Sequence, residues 1–202
     1  ILAPEVFEGA AAAVREFEGM GLSLLEVSHR DKKVVAVMEE AQQRVLSTLG
    51  LGDDYAVLFL QGGASSQFAM VPFNRLTLTG RAGYLNTGTW ASRAVEEAEK
   101  LAPGQAFELA SSKDKNFSYI PKGFAIPSGL DYIHYTSNNT IFGTQMKAFP
   151  KADSLMVCDM SSDIFSRQMD YSAFDLIYAG AQKNLGPAGA TLVVVRKDIL
   201  GK

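Results

Sequence analysis

The sequence predicts an α/β fold in which a mostly parallel sheet of about seven strands carries helices on both faces. Short apolar runs alternate along the chain with segments that have helical spacing. Several of these runs, such as residues 155–158, are apolar without interruption, which is typical of strands buried on both faces. With 202 residues, 47% of them hydrophobic, the chain can bury the core of one large domain, predicted over residues 1–202.

The predicted elements follow in order. Residues 4–20 form a helix, with Pro4 near its start and Gly19 and Gly21 at its end. A second helix begins at Asp31 or Lys32 and runs to Leu49. Strands are predicted over 56–60, 81–85, 106–109, 132–135, 155–158, 176–178 and 190–195, with further helices from Ser66 and over 89–101. Residues 111–129 are polar and form a connection with little regular structure.

Composition argues against several classes of function. The net charge of −3 and the lack of a stripe of basic residues argue against binding of nucleic acid. No apolar run approaches the roughly 20 residues that span a bilayer, and the first residues lack the pattern of a signal peptide. A single cysteine, Cys158, forbids an intramolecular disulfide and fits the reducing cytoplasm. Its apolar setting favours a buried structural thiol over a nucleophile. No metal site is expected.

Lys183 occupies an unusual place, a turn of small residues between two predicted strands. A lysine held against the end of a sheet is partly desolvated, which favours the neutral amine that condenses with carbonyls. The alternative is a solvated turn lysine, which is the commoner situation for this residue type.

Asp159 ends an apolar run and is followed by Ser161 and Ser162, so it is expected at the carboxyl end of a parallel strand. Such an aspartate can also be a metal ligand or a helix N-cap. Pyridoxal phosphate needs a lysine amine and a carboxylate facing its ring nitrogen. Paired with Lys183, Asp159 favours a pyridoxal phosphate site.

The loop from Gln61 to Phe68 follows a predicted strand and precedes a helix. Free backbone N–H groups at such a turn, with the hydroxyls of Ser65 and Ser66, can receive a phosphate. The sequence is neither a Walker A loop nor a dinucleotide fingerprint. By itself it can be an ordinary strand-to-helix connection, and beside the other two features it is a candidate phosphate seat.

Together these motifs resemble the phosphoserine aminotransferase family, within the fold-type I (class V) pyridoxal phosphate enzymes. The likeness extends from the first helix to the last strand. It is carried by the segments 26–30, 61–68, 86–91, 96–100, 134–143, 159–162 and 181–187.

The resemblance implies a role for each matching residue. Lys183 would join the cofactor aldehyde and shuttle a proton, and Asp159 would pair with the ring nitrogen. Trp90 would stack on the ring, although by its sequence alone it is equally well a core aromatic. Cofactor contacts would also come from Thr140 to the phenolic oxygen and from Ala64, Ser65 and Gln182 to the phosphate. His29 and Arg30 would bind the substrate anion in the neighbouring subunit of a homodimer; by themselves they fit an ordinary polar loop.

The resemblance further implies transamination between glutamate and 3-phosphohydroxypyruvate, which gives phosphoserine and 2-oxoglutarate in serine biosynthesis. Two departures stand out: Ser65 replaces an arginine present in some relatives, and the chain is about half the expected length. The sequence is therefore interpreted as a large domain without its C-terminal small domain. Alternatives are another class V aminotransferase, a cysteine desulfurase-like enzyme, or an inactive folded fragment. Gln182 argues against the desulfurase, since desulfurases of this fold tend to carry histidine there.

Overall fold

A computed structural model describes residues 2–201, so the ends of the predicted domain, Ile1 and Lys202, lie outside the described residues. The chain divides into two compact units, with the boundary between Gly52 and Asp53. The prediction of one domain over 1–202 stays a prediction. No helix within residues 2–201 is long and apolar enough to cross a membrane.

The first unit contains helices α1 (Pro4–Arg15) and α2 (Lys32–Leu49). Helix α1 ends before the predicted Met20, because Glu16 is extended and Glu18 adopts a positive φ of 53°. Helix α2 begins as predicted, with the Asp31 side chain accepting a hydrogen bond from the Lys33 amide at 2.9 Å. It ends at Gly50, whose left-handed conformation (φ 66°) is the usual glycine helix stop.

The second unit is built on seven strands with two main helices among them. The strands of this sheet are β1 (Tyr55–Leu60), β2 (Ala82–Asn86), β3 (Ala106–Ser111), β4 (Tyr132–Thr136), β7 (Leu155–Asp159), β8 (Leu176–Gly180) and β9 (Thr191–Arg196). The other elements are α3 (Gly63–Arg75), α4 (Thr89–Leu101), the one-turn helix α5 (Ala181–Asn184), a hairpin of β5 (Asn138–Asn139) and β6 (Thr144–Gln145), and 3-10 turns over Lys113–Lys115, Tyr171–Ala173 and Lys197–Ile199.

The strand order is β1-β9-β8-β7-β4-β2-β3, and β9 runs antiparallel to the other six strands, which are parallel to one another. The predicted mostly parallel α/β sheet is therefore confirmed. Each predicted strand is present with its limits shifted by one or two residues. The β5–β6 hairpin and the helix α5, where a plain turn was expected at Lys183, were not predicted.

Helices α3 and α4 pack on one face of this sheet. Their apolar side chains, such as Phe68 and Ala98, join strand residues such as Tyr178 and Val157 in a buried cluster. The other face includes Tyr135, whose ring meets Phe149 edge-on at 5.6 Å. Burial of both faces explains why strands such as β7 and β8 are almost entirely apolar in sequence.

Candidate cofactor site

The carboxyl ends of the strands meet at one edge of the sheet. Asp159 lies in register with Thr136 on one side and Tyr178 on the other. Further along, Leu60 and Gly180 both lie opposite Thr191, the first residue of the antiparallel strand β9. The Asp159 strand end, the glycine loop after β1 and the Lys183 segment after β8 are thereby brought to the same edge.

The Lys183 amine lies between an aromatic ring and a hydroxyl. Its Nζ is 5.0 Å from the centroid of the Trp90 ring and 3.4 Å from Thr140 Oγ1. The side chain is half-buried, as expected for a lysine held against a sheet edge. Three residues that are far apart in sequence and were predicted for one site are therefore neighbours.

Two loops bring Trp90 and Thr140 to the amine. Gly88 precedes the first residue of α4, and a Cβ built on it would lie 2.8 Å from Asn139 Oδ1 and 3.3 Å from the Phe142 ring. Any larger residue at position 88 would therefore have to displace the Asn139 and Phe142 side chains of the β5–β6 hairpin. Asn139 Nδ2 donates to Thr144 Oγ1 at 3.1 Å, which stabilises the hairpin that carries Thr140.

Asp159 is a buried carboxylate, 5% exposed. Burial raises the pKa of the Asp159 carboxyl above its ordinary value, while hydrogen bonds from Ser161 and the charge of Lys183 act in the opposite direction. The Ser161 amide and hydroxyl donate to the same oxygen, Oδ1, at 2.9 and 2.6 Å. A buried carboxylate in this setting is suited to a cationic partner.

The glycine loop lies beside the Lys183 segment. Gly62 and Gly63 have positive φ values of 96° and 67°, which turn the chain into α3. A Cβ built on Gly180 would lie 3.5 Å from the Ala64 amide nitrogen and 3.1 Å from Gln182 Oε1. The Ala64 amide, at the amino end of α3, and the Gln182 side chain therefore both lie beside Gly180. A helix amino end with free N–H groups is a suitable site for a phosphate.

The two serines of the loop differ. Ser66 donates its hydroxyl proton to Gly62 O at 2.9 Å, so this proton closes the turn and does not face a ligand. Ser65 is exposed at the start of the helix, with its backbone N–H in the first turn.

His29 and Arg30 lie in the first compact unit, between α1 and α2, and both side chains are exposed. The Arg30 amide donates to Ser28 Oγ at 3.2 Å, which shapes the turn. Their assignment to substrate binding stays a prediction.

The residues of the edge fit pyridoxal phosphate by their chemistry. They comprise the Lys183 amine, the buried Asp159 carboxylate and the Trp90 ring, whose centroid is 5.0 Å from the amine. They also include the amino end of α3, where Gly62 is the N-cap residue. Trp90 Nε1 is buried and has no hydrogen-bond partner among the described residues. Within residues 2–201, no three His, Cys, Asp or Glu side chains are grouped as metal ligands.

No role was predicted from the sequence for Ser161 or Gly88. For Ser161 the signal was its place in the pair of small hydroxyl residues after Asp159.

Known proteins resemble the chain over its whole length. The profile of the aminotransferase class-V family matches residues 2–202. A phosphoserine aminotransferase of Flavobacterium psychrophilum is 60% identical over 203 residues, covering 100% of this chain and 56% of that protein. The chain thus spans about half the length of the curated relatives it matches.

Solved structures agree in fold. A phosphoserine aminotransferase from Bacillus circulans subsp. alkalophilus superposes with a TM-score of 0.94 at 47% identity, over 100% of this chain and 56% of that one. A phosphoserine aminotransferase from Trichomonas vaginalis, solved with bound pyridoxal phosphate, gives a TM-score of 0.91 at 35% identity, over 100% and 60%.

Proposed function

The chain belongs to the class V aminotransferase family, and on that premise we propose that it forms the cofactor-binding part of a pyridoxal phosphate-dependent aminotransferase. The observation that carries the proposal is the Lys183 amine, which lies 5.0 Å from the Trp90 ring at the edge where Asp159 is buried. We further propose residues 1–202 as one functional cofactor-binding domain.

Seven residues would hold the cofactor. Lys183 would bind its aldehyde, Asp159 its ring nitrogen, Trp90 its ring face and Thr140 its phenolic oxygen. The phosphate would be held by the backbone N–H groups of Ala64 and Ser65 and the side chain of Gln182. When bound, pyridoxal phosphate supplies an electron-withdrawing ring that stabilises negative charge at the substrate's α carbon.

The chain's own groups account for the proton movements. Lys183 Nζ, beside Trp90 and Thr140, would take up a proton from the substrate's α carbon and return it. The buried Asp159 carboxylate would hold the ring nitrogen in its protonated form. Trp90 would cover one ring face and exclude water from it. Amine, carboxylate and indole thus have separate tasks.

The proposed reaction moves an amino group from glutamate to 3-phosphohydroxypyruvate and yields 2-oxoglutarate and phosphoserine, a step of serine biosynthesis. The similarity to proteins named phosphoserine aminotransferase, at up to 60% identity, supports this choice of substrates. His29 and Arg30 are proposed to bind the substrate's phosphate, because the planar guanidinium of Arg30 matches phosphate geometry and the His29 ring can donate a hydrogen bond from the same turn. A cytoplasmic homodimer with shared sites is the proposed setting.

The test uses the complete protein, including whatever sequence flanks these residues. Titration with pyridoxal phosphate is expected to produce an absorbance band of the lysine-bound cofactor. Glutamate should bleach this band, and 3-phosphohydroxypyruvate should restore it while phosphoserine forms. Release of sulfide from cysteine without amino transfer would favour a desulfurase, and a stable band without turnover would indicate a binding protein without this activity.

A further inference from the structure

The hydroxyl of Ser161 bridges Asp159 and the backbone that leads to Lys183. Ser161 Oγ is 2.6 Å from Asp159 Oδ1 and 2.9 Å from the amide nitrogen of Gly180. Ser161 is itself buried, with 5% of its surface exposed. One buried hydroxyl therefore forms hydrogen bonds both with the Asp159 carboxylate and with the backbone that leads to Lys183.

The direction of each hydrogen bond is fixed by its partners. The Gly180 N–H can only donate, so Ser161 Oγ accepts from it. The single hydroxyl hydrogen remains for Asp159 Oδ1, which also accepts from the Ser161 amide at 2.9 Å. An oxygen that accepts two hydrogen bonds belongs most favourably to an ionised carboxylate. The arrangement leaves Oδ2 as the oxygen for a further donor.

Gly180 links this bridge to the rest of the site. It is the N-cap residue of α5, three positions before Lys183. A Cβ there would lie 3.5 Å from the Ala64 amide nitrogen. The Ser161 hydroxyl thus connects the Asp159 carboxylate to the backbone of Gly180. Gly180 lies beside Ala64, the proposed phosphate-binding residue, and precedes Lys183 in the chain.

We propose that Ser161 is a positioning residue that orients the Asp159 carboxylate for the cofactor's ring nitrogen and ties it to the Lys183 segment. This inference rests on the proposed function, since it requires a pyridine nitrogen opposite Asp159. Burial raises the pKa of the Asp159 carboxyl and the two Ser161 hydrogen bonds oppose this effect. Without the hydroxyl's hydrogen bond, the proton shared between the cofactor's ring nitrogen and the carboxylate is expected to move toward the carboxylate.

The adjacent Ser162 provides a matched control. Its hydroxyl donates to Asn138 O at 3.0 Å and accepts from Asn138 Nδ2 at 2.9 Å. Ser162→Ala therefore removes a hydroxyl from the same segment without touching the Asp159–Ser161–Gly180 bridge.

The experiment loads the complete protein and its variants with pyridoxal phosphate labelled with nitrogen-15 in the ring. The nitrogen chemical shift reports ring protonation independently of turnover. Ser161→Ala is expected to move the shift toward the unprotonated value and to weaken cofactor affinity by about two- to tenfold, because Ser161 acts through Asp159. Ser161→Thr, which keeps the hydroxyl, should restore the shift, and Ser162→Ala should not change it. Ser161→Cys, similar in shape but with a weaker hydrogen-bond donor, should give an intermediate nitrogen shift. This variant replaces Ser161→Ala in the experiment if the alanine variant does not fold.

A wild-type shift and wild-type affinity in folded Ser161→Ala or Ser161→Cys would overturn the proposal, as would failure of Ser161→Thr to restore the shift. If the wild-type protein itself bound no pyridoxal phosphate, the proposed function would fail instead. Cofactor binding by the wild-type protein therefore distinguishes failure of the proposed function from failure of the proposal for Ser161.

Discussion

The Nζ atom of Lys183 lies 5.0 Å from the centroid of the Trp90 ring. A cation at this distance from an indole face is attracted by the ring's quadrupole. The same ring can cover a planar cofactor joined to the amine. The relationship therefore places a reactive amine and a stacking surface in one site.

The first prediction concerns Trp90. Trp90→Ala should weaken binding of pyridoxal phosphate by about 0.5–1.5 kcal/mol, because one ring face loses its stacking partner. Trp90→Phe should retain most of the affinity. Titration of apoprotein by absorbance measures the effect, and Phe73→Ala, an aromatic 81% exposed on α3, is the control. Unchanged affinity in Trp90→Ala would count against stacking.

The second prediction concerns Asp159. Asp159→Asn should slow removal of the glutamate α proton by several orders of magnitude, because the amide cannot hold the ring nitrogen protonated. Cofactor affinity should fall less, by about 1.5–3 kcal/mol, or roughly ten- to a hundredfold. Stopped-flow absorbance with α-deuterated glutamate measures the proton step.

Asp163→Asn is the control for Asp159→Asn. Asp163 is also 5% exposed, but its carboxylate accepts a hydrogen bond from Gln145 and lies 3.6 Å from Arg167. Near-normal turnover in Asp159→Asn would contradict the role given to Asp159.

The third prediction concerns acid stability. Burial lowers the pKa of His134 to about 3, and its Nε2 is hydrogen-bonded to the Tyr178 hydroxyl at 2.8 Å. The unfolded chain takes up this proton near pH 6.5, whereas the folded chain does not until about pH 3. The stability contribution is thus complete above pH 6.5 and is lost as the pH falls toward 3. The loss is at most about 1.4 kcal/mol per pH unit.

His134→Gln should reduce the slope of unfolding free energy between about pH 7 and about pH 5, because glutamine does not titrate. Urea unfolding of the apoprotein at several pH values measures this slope. The other histidine of the chain, His29, is exposed, and His29→Gln is the matched control. Equal slopes in the wild type and His134→Gln would contradict the prediction, because they would mean that His134 binds its proton equally in the folded and unfolded states.

The fourth prediction concerns Arg30. Arg30→Ala should raise KM for 3-phosphohydroxypyruvate far more than for glutamate, by a factor that corresponds to about 1.5–3 kcal/mol. The Arg30 side chain is exposed, and its planar guanidinium matches the geometry of a phosphate. Steady-state kinetics of both half-reactions measure the effect, with Lys32→Ala as a nearby cationic control. Equal KM changes for both substrates would count against phosphate binding.

Mixing tests whether Arg30 acts across a dimer. Combining Arg30→Ala and Lys183→Ala subunits should restore activity, because some heterodimers then contain one intact site. Absence of recovery would argue that Arg30 serves its own subunit.

The sequence predicts the sheet well, because buried parallel strands such as β7 and β8 are almost entirely apolar runs. It does not predict the β5–β6 hairpin, since a two-residue strand such as Asn138–Asn139 has no hydrophobic period. Lys183 and Asp159 are recognisable from local context. The Ser161 bridge is not, because its partner Gly180 comes from the next strand.

Identification of the lysine that binds the cofactor aldehyde tests the central claim most directly. The complete protein, loaded with pyridoxal phosphate, is reduced with borohydride, digested and mapped by mass spectrometry. The pyridoxyl group is expected on the peptide that contains Lys183, and Lys183→Ala should carry no such label. Labelling of another lysine in the wild-type protein would contradict the assignment of this site.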